Sequence, residues 1–219
     1  MASELETAAK PGRRQAHKNR TQRALQQAAL ELFAKNGYDT TTTDEIAERA
    51  GVSPRTFFRY FPTKESVLFA GEYGWFQSFT NRYLEQPPKL TDVEALRETL
   101  VDLAPELGQI RKSLVLYERA VESSPTLRGG VYDHQKEDVA TLAKAIARRR
   151  GFDEPDESAS LLAAVGLVTY RRSLTRWLAG PVSVDPGSVI IEQFDLLGDL
   201  FTLNSLNGRR KPRRSAAKS

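Results

Sequence analysis

The chain of 219 residues contains no cysteine, and this absence excludes several kinds of chemistry. Without cysteine there is no disulfide, no thiolate metal site and no cysteine nucleophile. Histidine is scarce as well, since only His17 and His134 occur, and they do not form an HxxxH pair. The sequence therefore predicts a protein that uses neither a metal nor a cofactor.

Catalytic motifs and long apolar segments are also missing. The chain has no glycine-rich phosphate loop and no GxSxG motif, which argues against an enzyme. No stretch approaches the roughly 18 apolar residues that cross a membrane. The opening residues, MASELETAAKPGRR, lack the apolar segment of a secretory signal. We therefore expect a cytoplasmic globular protein with no membrane partner.

Charge is distributed unevenly along the chain. Residues 1–24 carry a net charge of +4 and residues 208–219 carry +6, so the remainder is at −6, within a total of +4. We interpret residues 1–19 as a flexible basic arm and residues 207–219 as a disordered basic tail. Basic ends on an acidic body suggest arms that are attracted to a polyanion, although they could also serve only as solubilising segments.

The hydrophobic pattern is helical almost throughout, and no alternating run of β-branched residues supports a sheet. The sequence predicts an all-α fold. A first helix ends at Asn36-Gly37, and Thr63 caps a long fourth helix that extends to about Glu85. Gly129-Gly130 is expected to interrupt the chain. Beyond the Pro87-Pro88 break, helices are predicted at about 92–107, 110–124, 131–150, 157–179 and 186–203.

Residues 42–64, TTDEIAERAGVSPRTFFRYFPTK, predict two short helices joined by a tight turn. Thr42 with Glu45 forms a capping box at the start of the first helix. Gly51 permits the left-handed backbone that the turn needs. Ser53-Pro54 is a cap followed by a proline at the first helical position, so the second helix begins at once. This arrangement is typical of a helix-turn-helix.

The second of these helices exposes polar donors that a surface helix does not need for folding. Arg55, Thr56, Arg59 and Tyr60 are suited to base edges and phosphates, and they lie near the helix N-terminus, where anions are also favoured. The alternative is a structural three-helix cap whose aromatic residues simply pack. That alternative fits Phe57 and Phe61 better than it fits the donors.

Residues from about Thr21 to Ala70 resemble the DNA-binding domain of the TetR family of repressors. The resemblance is carried by residues that match the family pattern without a gap, namely Ala28, Leu32, Phe33, Gly37, Tyr38, Thr41, Thr42, Ile46, Ala47, Ala50, Gly51, Val52, Ser53, Phe57, Phe58, Tyr60, Phe61, Lys64, Glu65 and Leu68. It implies an Ω-shaped homodimer in which each subunit presents one recognition helix to the major groove of double-stranded operator DNA.

The resemblance also implies which positions contact DNA. They are Thr43, Ser53, Arg55, Thr56, Phe58, Arg59, Tyr60 and Lys64. Asp44 departs from the pattern because many relatives have a basic residue there, which puts a phosphate contact at that position in doubt. The later part of the chain is similar to the regulatory domain of actinobacterial regulators of this type. We therefore expect a DNA-binding domain at 20–66 and a helical regulatory and dimerisation domain at 67–206.

Two sets of residues in the second domain are candidates for binding. A ligand cavity is predicted to be lined by Trp75, Phe79, Tyr83, Leu107, Tyr117, Val121, His134, Asp138 and Thr169. A dimer interface is predicted to include Val165, Val168, Trp177, Ile190, Phe194, Leu197 and Phe201. Either set could instead be plain core, since apolar residues at helical spacing serve that purpose too.

These observations predict a ligand-responsive repressor. It would bind a palindromic operator as a homodimer and release it when a small apolar or amphipathic effector binds. Two alternatives stay open. One is a transcriptional activator, and the other is an architectural DNA-binding protein that no ligand controls.

Overall fold

The computed structural model describes the backbone of residues 13–207 and the side chains of residues 15–69 and 75–200. All regular structure in this part of the chain is helical, which confirms the predicted all-α class. The helices are α1 (Arg13–Asn36), α2 (Thr43–Arg49), α3 (Pro54–Tyr60), α4 (Ser66–Glu85), α5 (Asp92–Ser123), α6 (Pro125–Arg149), α7 (Glu157–Ala179) and α8 (Pro186–Asn207). None of the helices described is long and apolar enough to cross a membrane.

The described residues form two compact units. The first contains residues 13–74 together with Lys112–Asp133, and the second contains Trp75–Arg111 together with residues 134–207. The chain therefore passes from one unit to the other within α4, within α5 and within α6. The first unit is larger than the predicted DNA-binding domain, because it also contains the end of α5 and the start of α6.

The core of the first unit is an apolar cluster to which six helices, α1 to α6, contribute. Leu25, Ala29 and Phe33 of α1 are fully buried, as is Phe57 of α3. The other fully or nearly fully buried members are Ala28, Tyr38, Ile46, Ala47, Phe61, Val67, Leu68, Phe69, Ala120 and Leu127. Burying one large apolar side chain contributes about 1.5–3 kcal/mol. Burial in this cluster therefore stabilises helices as short as α2 and α3.

The core of the second unit is built on the helical periodicity of α5 to α8. Leu96, Leu100 and Leu103 of α5 are buried at spacings of three and four residues, as are Leu142 and Ile146 of α6. Helices α7 and α8 pack against each other. Their buried apolar side chains are Ala159, Ala163, Leu167, Trp177, Val189, Ile190 and Phe194.

Arginine side chains bind the carbonyl groups at two helix ends in this unit. Arg111 donates from Nη2 to the carbonyls of Leu178 and Gly180 at 3.0 and 2.7 Å, and its guanidinium lies 4.6 Å from the ring centroid of Trp177. Arg149 donates to the carbonyls that follow α4, at Gln86, Pro87 and Leu90. Carbonyl groups at and just after the end of a helix lack the N–H partner that the helix interior provides. By binding them, the two arginines fix the loops that follow α4 and α7.

Several predicted boundaries are confirmed. Gly37 follows the end of α1, and the limits of α7 agree with the expected 157–179. Thr63 caps the turn before α4, since the backbone N–H of Ser66 donates to its hydroxyl at 3.2 Å. The regular helix begins at Ser66, two residues later than a helix capped by Thr63 was expected to begin.

Other predicted boundaries were wrong. α5 is continuous where two helices had been expected, because buried residues on both sides of Pro105 compensate for the hydrogen bond that the proline removes. α6 begins at Pro125 and passes through Gly129-Gly130 without interruption. Residues 13–19, expected in a flexible arm, belong to α1. The expectations for residues 1–12 and 208–219 lie outside the described residues.

The positive φ of Gly51 in the turn can be tested by substitution. This φ is +69°, and a Cβ added at Gly51 would meet no atom within 4 Å, so Gly51→Ala changes conformational strain alone. We expect this variant to lose about 1 kcal/mol of unfolding free energy. Gly108→Ala is the matched control, because a Cβ there also meets nothing but the residue is helical within α5. It should gain about 0.5–1 kcal/mol in the same urea titration. Equal effects of the two changes would contradict this account.

Candidate nucleic-acid interface

The start of α2 is fixed by the predicted capping box. The backbone N–H of Glu45 donates to the hydroxyl of Thr42 at 3.2 Å, and the backbone N–H of Thr42 donates to the Glu45 carboxylate at 2.8 Å. The backbone N–H of Thr42, and then its hydroxyl at 3.0 Å, donate to the Glu45 carboxylate and hold the pKa of that carboxyl below its usual value. At the other end of α2, Arg49 donates from Nε to Glu31 of α1 at 3.1 Å. The helix is thus held to its neighbour at its last residue.

The turn between α2 and α3 has the expected geometry. The backbone N–H of Gly51 donates to the carbonyl of Glu48 at 3.0 Å, and that of Val52 donates to the carbonyl of Ala47 at 2.9 Å. Ser53 then caps α3, since its hydroxyl accepts from the backbone N–H of Thr56 at 3.2 Å. Pro54 occupies the first position of the helix. The sequence therefore predicted the helix-turn-helix correctly, including both caps.

The predicted DNA-contacting residues of α3 divide by exposure. Ser53, Arg55, Phe58 and Arg59 are exposed, and Phe58 leaves 52% of its surface in solvent. Phe57, between them, is fully buried. The helix carries two arginines and no acidic residue, so its exposed side is positively charged. An exposed helix face with cations and one aromatic ring is suited to contact with phosphates and base edges.

Three other predicted contacts are half-buried. Thr43 begins α2, and the hydroxyl of Thr56 lies 3.0 Å from that of Ser53. Tyr60 packs against the core cluster of the first unit, and the Arg59 guanidinium lies 5.4 Å from the centroid of its ring. Tyr60 therefore contributes to the packing of α3, which the sequence pattern did not indicate.

Lys64 takes part in internal contacts that the sequence did not predict. Its Nζ donates to the carbonyls of Tyr38 and Thr41 at 2.7 and 2.9 Å, and it lies 4.1 Å from the centroid of the Tyr38 ring. Two of its three N–H groups thus hold the loop between α1 and α2. The predicted phosphate contact of Lys64 stays a prediction, and it would use the third N–H.

The neighbouring residue reinforces this connection. The Tyr38 hydroxyl donates to the Glu65 carboxylate. This hydrogen bond is the main cause that lowers the pKa of the Glu65 carboxyl, whereas burial, followed by that hydrogen bond, raises the pKa of the Tyr38 phenol. Lys64 and Glu65 together attach the segment before α4 to the α1–α2 loop. The sequence had placed Glu65 only in the family pattern and Lys64 only in that pattern and at a DNA contact, because these internal contacts join residues far apart in sequence.

The predicted ligand-cavity residues do not all lie together. Tyr117 and Val121 pack against the core of the first unit, and their place in a ligand cavity stays a prediction. The remaining residues belong to the second unit. There the Tyr83 hydroxyl donates to Asp92 at 2.9 Å and the Thr169 hydroxyl donates to the carbonyl of Val165 at 2.9 Å, so both have internal partners.

The other candidates in the second unit differ in their surroundings. Trp75 stacks on Phe79, and Leu107 lines a narrow gap. Burial raises the pKa of the Asp138 carboxyl, while the nearby Arg171 and His134 oppose that rise. Among the described residues, no group of three His, Asp or Glu side chains is placed to hold a metal ion.

The predicted dimer residues need correction as well. Trp177, Ile190 and Phe194 are 2%, 2% and 4% exposed within a single chain, so they belong to the subunit core and have almost no surface left for a partner. Val168 is 61% exposed, whereas Val165 and Leu197 are half-buried. The side chain of Phe201 lies outside the described residues. Other exposed apolar residues of α7 and α8 are Leu161, Ile191, Leu196 and Leu200.

Tyr38→Phe tests the hydrogen bond to Glu65 while retaining the ring beneath Lys64. Since the folded-state pKa of Glu65 is lowered, its contribution to stability is complete above the ordinary value of 4.5 and is lost as the pH falls through the folded value. We expect the variant to lose about 1–2 kcal/mol near pH 7. Its unfolding free energy should also decline less steeply than that of the parent between about pH 5 and pH 3. Identical pH profiles in urea titrations would contradict this assignment.

Comparison with known proteins agrees with the geometry. The sequence profile described as "Bacterial regulatory proteins, tetR family" matches residues 25–70, which include α2, α3 and the turn between them. The HTH-type transcriptional regulator TcmR of Streptomyces glaucescens is 31% identical over 175 residues, which cover 74% of this chain and 76% of that protein.

Solved structures of regulators share the fold. The fatty acid degradation regulator FadR from Bacillus halodurans superposes with a TM-score of 0.57 at 23% identity, covering 81% of this chain and 94% of FadR. NalD of Pseudomonas aeruginosa, a repressor of a multidrug efflux pump, gives a TM-score of 0.57 at 16% identity, covering 84% and 96%. The helix-turn-helix and the similarity to TcmR along most of both chains together show that this protein is a transcriptional regulator of the TetR family.

Proposed function

We propose that the protein is a repressor that binds a palindromic operator as a homodimer and releases it when a small apolar or amphipathic effector binds. The observation that carries the DNA-binding part is the exposed side of α3. There Arg55 and Arg59 stand in solvent beside Phe58, although the helix is only seven residues long and needs its apolar residues for packing.

The chemistry of α3 fits the major groove. An arginine can donate two hydrogen bonds to one guanine, and an aromatic ring can contact a thymine methyl group. Arg55 has no ion-pair partner within the part of the chain that the structure describes, so its guanidinium is available to a base or phosphate. In a two-fold dimer, two such helices would contact half-sites about 34–36 Å apart, one turn of DNA.

The exposed apolar residues of α7 and α8 support dimerisation. Leu161 and Val168 lie two turns apart on α7, and Leu196 and Leu200 lie one turn apart on α8, each at least half exposed. Burying apolar surface contributes about 25 cal/mol per Å². A second copy of the chain, packed by two-fold symmetry, would cover the same residues on both subunits.

The burial of α4 side chains in both units supports a response to an effector. Val67 and Leu68, near its start, belong to the core of the first unit, whereas Phe76 and Phe79 are buried residues of the second. A ligand that favours one position of α4 would change the position of residues that hold the helix-turn-helix. Such a ligand shifts the equilibrium only by the difference between its affinities for the two states.

Arg55→Ala tests DNA recognition by α3. We expect it to weaken binding to a palindromic fragment from upstream of the gene by about 1–3 kcal/mol, since one bidentate contact is lost. Thermal unfolding should not change, because Arg55 is exposed. Fluorescence anisotropy of the labelled fragment at fixed salt provides the measurement.

The matched control is Arg119→Ala. Arg119 is an exposed arginine of the same unit, on α5, so the variant removes the same charge at a site away from α3. Its operator affinity should stay within about threefold of the parent. Equal losses in the two variants would show that net charge, and not the recognition helix, determines binding.

Val168→Asp tests the dimer surface. It places a charge among the exposed apolar residues of α7, so we expect monomers in sedimentation experiments and a loss of operator affinity. Val182→Asp is the control, because Val182 is 82% exposed but lies in the loop between α7 and α8. It should sediment as the parent does. A stable dimer in the Val168 variant would show that α7 is not part of the interface.

A further inference from the structure

Trp75 has a buried indole N–H that donates to no acceptor among the residues that the structure describes. The only other tryptophan in the chain is Trp177, which is buried, whereas the Trp75 side chain as a whole is half-buried. Nε1 of Trp177 donates to the carbonyl of Val184 at 2.9 Å. Buried tryptophan N–H groups usually have a partner, because a lost hydrogen bond to water is otherwise not replaced. The unsatisfied donor of Trp75 therefore needs an explanation that packing does not provide.

Flat aromatic rings stack against the indole of Trp75. The indole of Trp75 stacks on Phe79 with centroids 5.6 Å apart and an angle of 9° between the ring planes. It also stacks on Tyr170 of α7, at 5.0 Å and 12°. Most aromatic pairs elsewhere in the described chain are tilted or edge-on, as Phe57 and Phe58 are at 82°. Nearly parallel rings from α4 and α7 thus form an aromatic stack of Trp75, Phe79 and Tyr170.

The packing on one side of the stack, beside Tyr170, is tight. A gap next to Tyr170, lined mainly by apolar residues such as Leu107, Leu174 and Ile190, is too narrow for a water molecule. A molecule that approaches the stack from this side, with an acceptor for the indole N–H, must therefore displace side chains. That molecule must itself be flat and apolar if it is to replace contacts between parallel rings.

We propose that the effector is a planar aromatic molecule with a carbonyl or similar acceptor, which lies against the aromatic stack and accepts a hydrogen bond from Nε1 of Trp75. This inference rests on the proposed function, since it names the class of molecule that would act there. Trp75 and Phe79 both belong to α4, so a ligand that separates Trp75 from Tyr170 would act directly on this helix.

A matched pair of probes tests the proposal on the full-length protein. 9-Fluorenone and fluorene are both planar and tricyclic, but only fluorenone carries a carbonyl acceptor. We expect fluorenone to bind with a dissociation constant about tenfold lower than that of fluorene in equilibrium dialysis, as one added hydrogen bond predicts. Dodecanoate, a flexible chain with a carboxylate, should bind more weakly than fluorenone. Equal affinities for fluorenone and fluorene would overturn the proposal.

Two tryptophan variants locate the site. In Trp177→Phe, Trp75 is the only tryptophan, and fluorenone should quench its fluorescence saturably while the tenfold preference over fluorene persists. In Trp75→Phe an aromatic ring remains but the N–H donor is lost. Fluorenone and fluorene should therefore bind this variant with about equal affinity. Circular dichroism checks that each variant folds. If Trp75→Phe does not fold, the deciding measurement is the quenching of Trp75 fluorescence by fluorenone in Trp177→Phe. Absence of that quenching would overturn the proposal.

Operator binding separates this inference from the proposed function. If the parent binds its upstream fragment and dodecanoate releases it but fluorenone does not, the effector class is wrong although the regulator is as proposed. If fluorenone binds at Trp75 but the protein binds no operator fragment, the aromatic site stands and the proposed function fails.

Discussion

The DNA-binding unit depends on one constraint, which is that its two shortest helices cannot persist alone. α2 and α3 have seven residues each, far fewer than an isolated helix needs in water. Their stability comes from a few fully buried side chains, chiefly Ile46 and Phe57, that join the apolar cluster on α1. The end of α5 and the start of α6 complete this cluster. The unit that presents α3 is therefore built from distant parts of the chain.

Local chemistry could be predicted from the sequence because it depends on neighbouring residues. The capping box of Thr42, the turn at Gly51 and the Ser53-Pro54 start of α3 each follow from residues within one helical turn, and the structure confirms them. The limits of α5 and α6 were less predictable. Two helices had been expected at 92–107 and 110–124 and an interruption at Gly129-Gly130, but α5 and α6 are continuous, and buried residues flank Pro105 within α5.

Contacts between distant residues could not be predicted from periodicity. The hydrogen bonds of Lys64 to the α1–α2 loop join residues more than twenty positions apart. Periodicity shows which residues face inward, but it does not show which core they enter. Tyr117 and Val121 were for that reason expected in the second domain, whereas they pack against the core of the first unit. Trp177 and Phe194 were similarly placed on a dimer surface, although they are subunit core.

The separation of buried and exposed positions along α3 has a consequence for how the sequence of such a regulator can diverge. The side chains that hold the helix in place, Phe57 with the following Phe61, are buried, whereas Arg55, Phe58 and Arg59 are exposed. Substitutions at the exposed positions change the chemistry offered to DNA while leaving the cluster intact. Duplicated copies of such a gene can therefore acquire different operators in a few steps without passing through unstable intermediates. Tyr60 is the exception, since it packs on the core and so links stability to the neighbouring surface.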